Sequence, residues 1–104
     1  MIIYVDIDET ICCYDGDRVY RDAIPLTENI KKINHLYSNG HEIVYWTARG
    51  SITGIDHRQI TLDQLTRWGA KFNKLLLGKP HYDLFIDDKS INSVSFFKTL
   101  DLEV

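Results

Sequence analysis

Two carboxylates close the first apolar run of this chain, Met1-Ile-Ile-Tyr-Val-Asp6-Ile-Asp8-Glu-Thr10. Positions i and i+2 share a face of a strand, and where a strand gives way to a loop both can turn toward one site. Two negative charges buried side by side are costly unless a cation or a shared proton sits between them. The pair therefore marks a place for chemistry rather than packing. Three further polar groups stand where apolar runs stop: Thr47, Lys79 and the doublet Asp87-Asp88.

The elements that must position these groups can be read from periodicity. Ile2 to Val5 and Glu42 to Trp46 read as strands, the second entered from Asn39-Gly40. Between them, Ile30, Ile33 and Leu36/Tyr37 fall at helical spacing over Thr27 to Ser38, with Thr27 as N-cap and Gly40 at the stop. A second helix is expected from about Thr61 to Trp68, where Thr61-x-x-Gln64 fits a capping box. Lys74 to Leu77 reads as a short strand and Tyr82 to Ile86 as another, followed by a helix capped by Ser90 and running to about Thr99. The segment from Ile11 to Ile24 reads as a hairpin: Cys13-Tyr14, the turn Asp15-Gly16, then Arg18 to Arg21. It is either a flap over the acidic pair or an ordinary surface hairpin.

Strands alternating with helices imply a mainly parallel sheet with right-handed crossovers. The expected fold is a small doubly wound, Rossmann-like α/β/α sandwich of about four parallel strands, one domain over residues 1–104, with a short hairpin after the first strand. In such sheets ligands bind beyond the carboxyl ends of the strands. Asp6, Asp8, Thr47, Lys79, Asp87 and Asp88 would then converge on one crevice.

Composition narrows the partners. A net charge of −3 leaves no electrostatic footprint for nucleic acid. No apolar stretch approaches the ~20 residues that span a bilayer, so no membrane partner is expected and the chain reads as cytoplasmic. The adjacent Cys12 and Cys13 are poorly placed for a disulfide and suit a reducing compartment. Neither they nor the scattered histidines at 35, 41, 57 and 81 show metal-ligand spacing.

Taken in order, Asp6-Ile-Asp8-Glu-Thr10, Thr47, Lys79 and Asp87-Asp88 resemble the four motifs of the haloacid dehalogenase superfamily, and the resemblance covers nearly the whole chain. It implies that Asp6 is the nucleophile that becomes an aspartyl phosphate and that Asp8 serves as general acid and then base. Thr47 and Lys79 would stabilise the phosphoryl group, with Lys71, Lys74 and Lys89 as rivals for the lysine role. Lys74 begins its strand and so lies at the wrong edge of the sheet. Mg²⁺ would be held by Asp6, the main-chain carbonyl of Asp8, and Asp87 or Asp88. Relatives with the doublet favour Asp88 as direct ligand, although the sequence leaves this open. Thr10, Ala48 and Arg49 fall around the phosphate, and Arg49 reads either as a bidentate anion ligand or as a surface residue of a βα loop.

An Asp at position 8 is what the superfamily's phosphatases and phosphomutases carry. The gaps between motifs leave no room for a cap domain, which mutases need. Capless members commonly act on bulky substrates or borrow a lid from another subunit, so a homo-oligomer is compatible with the pattern. Gly-Lys79-Pro80 with Tyr-Asp-Leu-Phe-Ile-Asp-Asp is similar to small capless members associated with bacterial surface-polysaccharide synthesis. A phosphorylated sugar or glycan-linked substrate is the expectation that follows. The alternatives are a receiver-like phospho-Asp signalling domain, in which the phosphorylated Asp would end the third strand, and a catalytically silent phosphate-binding domain.

Overall fold

The computed structural model describes residues 1–99. The order is β1 (Ile2–Val5), β2 (Cys12–Cys13), β3 (Ile24–Pro25), α1 (Thr27–Ser38), β4 (Glu42–Trp46), α2 (Arg58–Arg67), β5 (Lys74–Leu76) and α3 (Ser93–Thr99). β1, β4 and β5 form a parallel sheet in that spatial order, with Ile3 opposite Ile43 and Tyr45 opposite Leu75. β2 and β3 form a small antiparallel hairpin after the first strand. This is a small Rossmann-like α/β fold, and the described residues include no cap domain.

Alternation along the strands decides where the core lies. Val5, Ile43, Tyr45 and Leu75 share one face, and they join Ile30 and Ile33 of α1, Leu65 of α2 and Phe97 of α3 in a single apolar cluster. The opposite face of β1 shows Ile2 and Tyr4 to solvent, 67% and 56% exposed. Among the described residues, one buried side-chain polar atom lacks a partner: the Tyr45 hydroxyl, beside Phe72. An orphaned buried hydroxyl costs about 1–3 kcal/mol. Tyr45→Phe is therefore expected to raise the unfolding free energy by about 1 kcal/mol, read as a higher urea midpoint at unchanged slope; a destabilised variant would reveal a hidden partner.

Several elements fall elsewhere than periodicity places them. α1 matches its expected range, but Leu26 is its N-cap and Thr27 its first helical residue. α2 begins three residues early, at Arg58, so Thr61 and Gln64 lie inside the helix and form no capping box. The return strand of the hairpin is Ile24–Pro25, while Tyr20–Asp22 is a turn of 3₁₀ helix rather than part of a strand over 18–21. α3 starts at Ser93, and the Asn92 side chain accepts from the Val94 N–H at 3.0 Å in the role expected of Ser90.

The largest departure is Tyr82 to Ile86, which is no strand at all. Leu84 and Ile86 are 74% and 88% exposed, and among the described residues the parallel sheet has three strands where four were expected. The apolar run met the local criterion for a strand, but pairing requires a neighbour within reach, and periodicity does not encode reach.

Candidate active site

β1 ends at Val5, and the chain then turns through Asp6 to Thr10. The Thr10 and Ile11 amides both bond the Ile7 carbonyl, at 3.1 and 2.9 Å. Glu9 adopts a left-handed φ of 62°, which closes the turn and lets its amide reach the Cys12 carbonyl at 2.9 Å. β4 delivers Thr47 beside it. The Thr47 carbonyl accepts from the Lys79 amide at 3.1 Å, which carries the chain after β5 back over the strand ends. Three of the expected catalytic groups are thereby brought to one rim by strand ends alone.

They line a cleft of ≈ 410 Å³ with Asp8, Ala48 and Arg49, walled by Tyr20, His57 and the Gly50–Ile55 loop. That loop closes against Gly50, whose φ is 83°; a Cβ there would lie 2.1 Å from the Ile55 carbonyl oxygen, so only glycine fits. Thr10 is not part of the lining. Its carbonyl is held by the Asn29 side chain at 3.0 Å, so it supports the turn from behind.

Within the cleft, Lys79 Nζ stands 3.5 Å from Asp6 Oδ1 and is flanked by the Trp46 and Tyr82 rings, with centroids 5.6 and 5.4 Å away. Burial pushes the Asp6 carboxyl up from its ordinary range, an effect the Lys79 charge and the Ile7 amide only partly offset and the nearby Asp8 charge reinforces. Asp6 is a carboxylate in search of positive charge.

Asp8 is the reverse. Arg49 Nε donates to its Oδ2 at 3.1 Å and Arg49 Nη2 to its Oδ1 at 2.9 Å, a bidentate pair; the Tyr14 hydroxyl donates to Oδ1 at 2.5 Å. Burial favours the neutral acid, but these donors outweigh it and hold the carboxyl below its ordinary range. In this state Asp8 is ionised and has no proton to give.

Arg49 itself is 2% exposed. Its Nη1 donates to Thr61 Oγ1 at 3.1 Å and Gln64 Oε1 at 2.6 Å, and its guanidinium lies 4.7 Å from the Tyr20 ring centroid. The Gln64 amide then donates to the Tyr20 carbonyl. The guanidinium is thus committed inside the protein and orients Asp8; it is neither a surface residue nor an unengaged anion ligand. Thr61 and Gln64, whose spacing resembles a helix cap, instead complete the Arg49 cradle. Tyr14, Tyr20, Thr61 and Gln64 escaped the sequence reading, since no local pattern ties them to Arg49.

Asp87 and Asp88 do not line the cleft. They are exposed, and Asp87 Oδ2 accepts from the Lys89 amide in a local turn. Among the described residues no cluster of three or more His, Cys, Asp or Glu could hold a metal ion. Asp6, with Lys79 already beside it and Asp8 tied to Arg49, is the one side-chain carboxylate in the cleft with capacity to spare. One such carboxylate is fewer than the expected donor set, which drew on Asp87 or Asp88 beside Asp6 and the Asp8 main-chain carbonyl.

Cys12 is fully buried, and its thiol donates to Asp8 Oδ1 at 3.4 Å; burial and the Asp8 charge push it up to about 12. Cys13 on the same strand is part-exposed. Brief iodoacetamide treatment of the native protein at pH 8 should therefore modify Cys13 and spare Cys12, as peptide mass mapping would read. Equal modification of both would mean the hairpin opens.

No family model matches the chain, and no curated protein matches it. A crystal structure of a structural-genomics target from Vibrio cholerae is similar to it: 28% identity, a TM-score of 0.83, and alignment over 99% of this chain and 92% of that one. Its description names no activity.

Proposed function

We propose that this chain is a phosphomonoester hydrolase of the capless haloacid dehalogenase type, acting through an aspartyl phosphate on Asp6. The observation that carries the reading is the meeting of Asp6, Thr47 and Lys79 at one rim, from three strand ends far apart in sequence. Such convergence at the carboxyl edge of a parallel sheet is where this architecture binds ligands. An Asp6 oxygen attacks phosphorus as the bond to the leaving oxygen breaks. Lys79 offsets the charge of both carboxylate and phosphate, and the Thr47 hydroxyl, which accepts from the Arg49 amide at 3.1 Å, retains its proton for a phosphoryl oxygen.

In the second step water attacks phosphorus as its bond to the Asp6 oxygen breaks, which restores the Asp6 carboxylate and releases inorganic phosphate; the water's proton passes to Asp8, which is ionised and so has a place for it. The first step is best served by leaving groups that depart without a proton. Aryl phosphates are accordingly the substrates of choice for an initial test, followed by phosphorylated sugars and glycan-linked phosphates, which the open, cap-free cleft admits.

Mg²⁺ remains part of the proposal as a requirement to be measured, and no step above passes through it. The decisive experiment is release of inorganic phosphate from an aryl phosphate and a phosphosugar panel by the purified chain, with and without added Mg²⁺. Turnover of any member supports the reading; none across the panel in either condition sinks it. A silent phosphate-binding domain would then be the better account, and the observation in its favour is that neither Asp87 nor Asp88 lines the cleft.

A further inference from the structure

The sheet has an open edge at β1, and among the described residues Tyr82–Ile86 is an apolar segment in no sheet. β1 is an edge strand whose outer side no described residue pairs with, and its outward face shows Ile2 and Tyr4. Apart from Asp83, Tyr82-Asp-Leu-Phe-Ile86 is apolar or aromatic, with apolar residues on both alternations, as in a strand buried on two sides. Yet Leu84, Phe85 and Ile86 are all exposed. Exposed apolar runs and bare edges are each a liability, and here one complements the other.

The chain's own β1 is out of reach in the useful orientation. Lys79 is still at the carboxyl edge of the sheet, since its amide bonds the Thr47 carbonyl just past β4. To lie parallel to β1, the segment would have to begin at the opposite edge, about 13 Å down and about 10 Å across by strand rise and spacing. The three peptide steps from Lys79 to Tyr82 span at most about 11 Å. Parallel neighbours need a connection of about a dozen residues or more. Antiparallel docking is within reach, but it would leave Asp87 and Asp88 at the amino edge, away from Asp6.

We propose that Tyr82–Asp88 is exchanged between two copies of this chain, each segment pairing in parallel with the other copy's β1 and delivering its Asp87 and Asp88 to the partner's Asp6. The inference rests on the phosphatase reading for the role of the acidic doublet, but the exchange itself rests on reach and on the unpaired edge. It supplies the second set of carboxylates that the cleft of one chain lacks, and it covers Leu84 and Ile86. A reciprocal exchange of this kind closes as a two-fold dimer without further copies.

Sedimentation velocity on the full chain tests the exchange independently of activity. The 12.1 kDa chain is expected to run as a dimer. Leu84→Asp/Ile86→Asp is expected to run as a monomer. A Gly/Ser insert of about 15 residues between His81 and Tyr82, enough for a parallel crossover, should also give a monomer, with the segment folded back on its own β1. A monomeric wild type, or a dimer that persists in both variants, overturns the proposal.

Refolding Asp6→Asn chains together with Asp87→Asn/Asp88→Asn chains then tests the composite site. Half of the resulting dimers are mixed and one of their two sites is intact, so about one quarter of wild-type turnover is expected; no recovery overturns the shared site. A wild type without turnover defeats the phosphatase reading while sedimentation still decides the exchange. An active monomer defeats the exchange alone.

Discussion

Asp6→Asn protein is expected to fold as the wild type does and to lose turnover of every phosphate ester by about 10⁴-fold or more, the scale on which removing an enzyme nucleophile acts. The amide is nearly the size of the carboxylate but cannot form the acyl phosphate. Folding should not suffer, because burial pushes the Asp6 carboxyl above its ordinary range. The sign follows from linkage: a carboxyl whose folded value is raised costs the native state stability once pH exceeds the ordinary 3.8, and a neutral side chain escapes that cost. The variant should therefore melt at or above the wild-type temperature at pH 7. Lost turnover with an unchanged melt locates the defect in the chemistry. Residual activity within tenfold of wild type would show that phosphoryl transfer bypasses Asp6.

Arg49→Met should be the most damaging single change to stability, at about 3–5 kcal/mol, because removing one partner of a buried ion pair strands the other. Asp8 would keep its burial and lose both guanidinium hydrogen bonds, while Thr61 Oγ1 and Gln64 Oε1 would lose their donor. For a domain near 100 residues, each kcal/mol moves the melting temperature by about 4–8 °C. Where Arg49→Met fails to fold, Arg49→Lys serves: its ammonium can satisfy Asp8 in part but cannot also span Thr61 and Gln64, so an intermediate loss is expected.

The pH dependence separates this mechanism from a generic packing defect. The Asp8 carboxyl lies below its ordinary value, so its stabilising share is complete above pH 3.8 and is lost as pH falls through the lowered folded value. Without Arg49, burial governs Asp8, its carboxyl moves up, and the sign reverses. The stability gap between wild type and variant should thus be smaller at pH 3 than at pH 7. A gap that does not change between those pH values would mean that Arg49 acts through packing alone.

Much of the candidate site is visible in the linear chain because Asp6, Thr47 and Lys79 each follow an apolar run. β4 occurs at Glu42–Trp46 and α1 at Thr27–Ser38 as periodicity predicts, since burial of one face writes a repeat into the residues that form it. Asp6, Thr47 and Lys79 then meet because strand ends in a parallel sheet point to one edge. The work of Thr61 and Gln64 was not visible. Their spacing matches a helix cap, and only the packed chain shows that a buried guanidinium claims both.

The sequence by itself therefore determined β1, α1, β4 and β5, the edge of the sheet at which chemistry gathers, and the types of groups gathered there. Tertiary structure alone decided which of those groups touch. Arg49 turned inward to Asp8 because five donors and a carboxylate match once Tyr20, Thr61 and Gln64 enclose them. Asp87 and Asp88 stayed outside the cleft because Pro80 and His81 are too short a link to bring Tyr82 back to the start of β1. Local burial patterns are carried by neighbours in sequence, whereas contact depends on the length and path of the chain between distant residues.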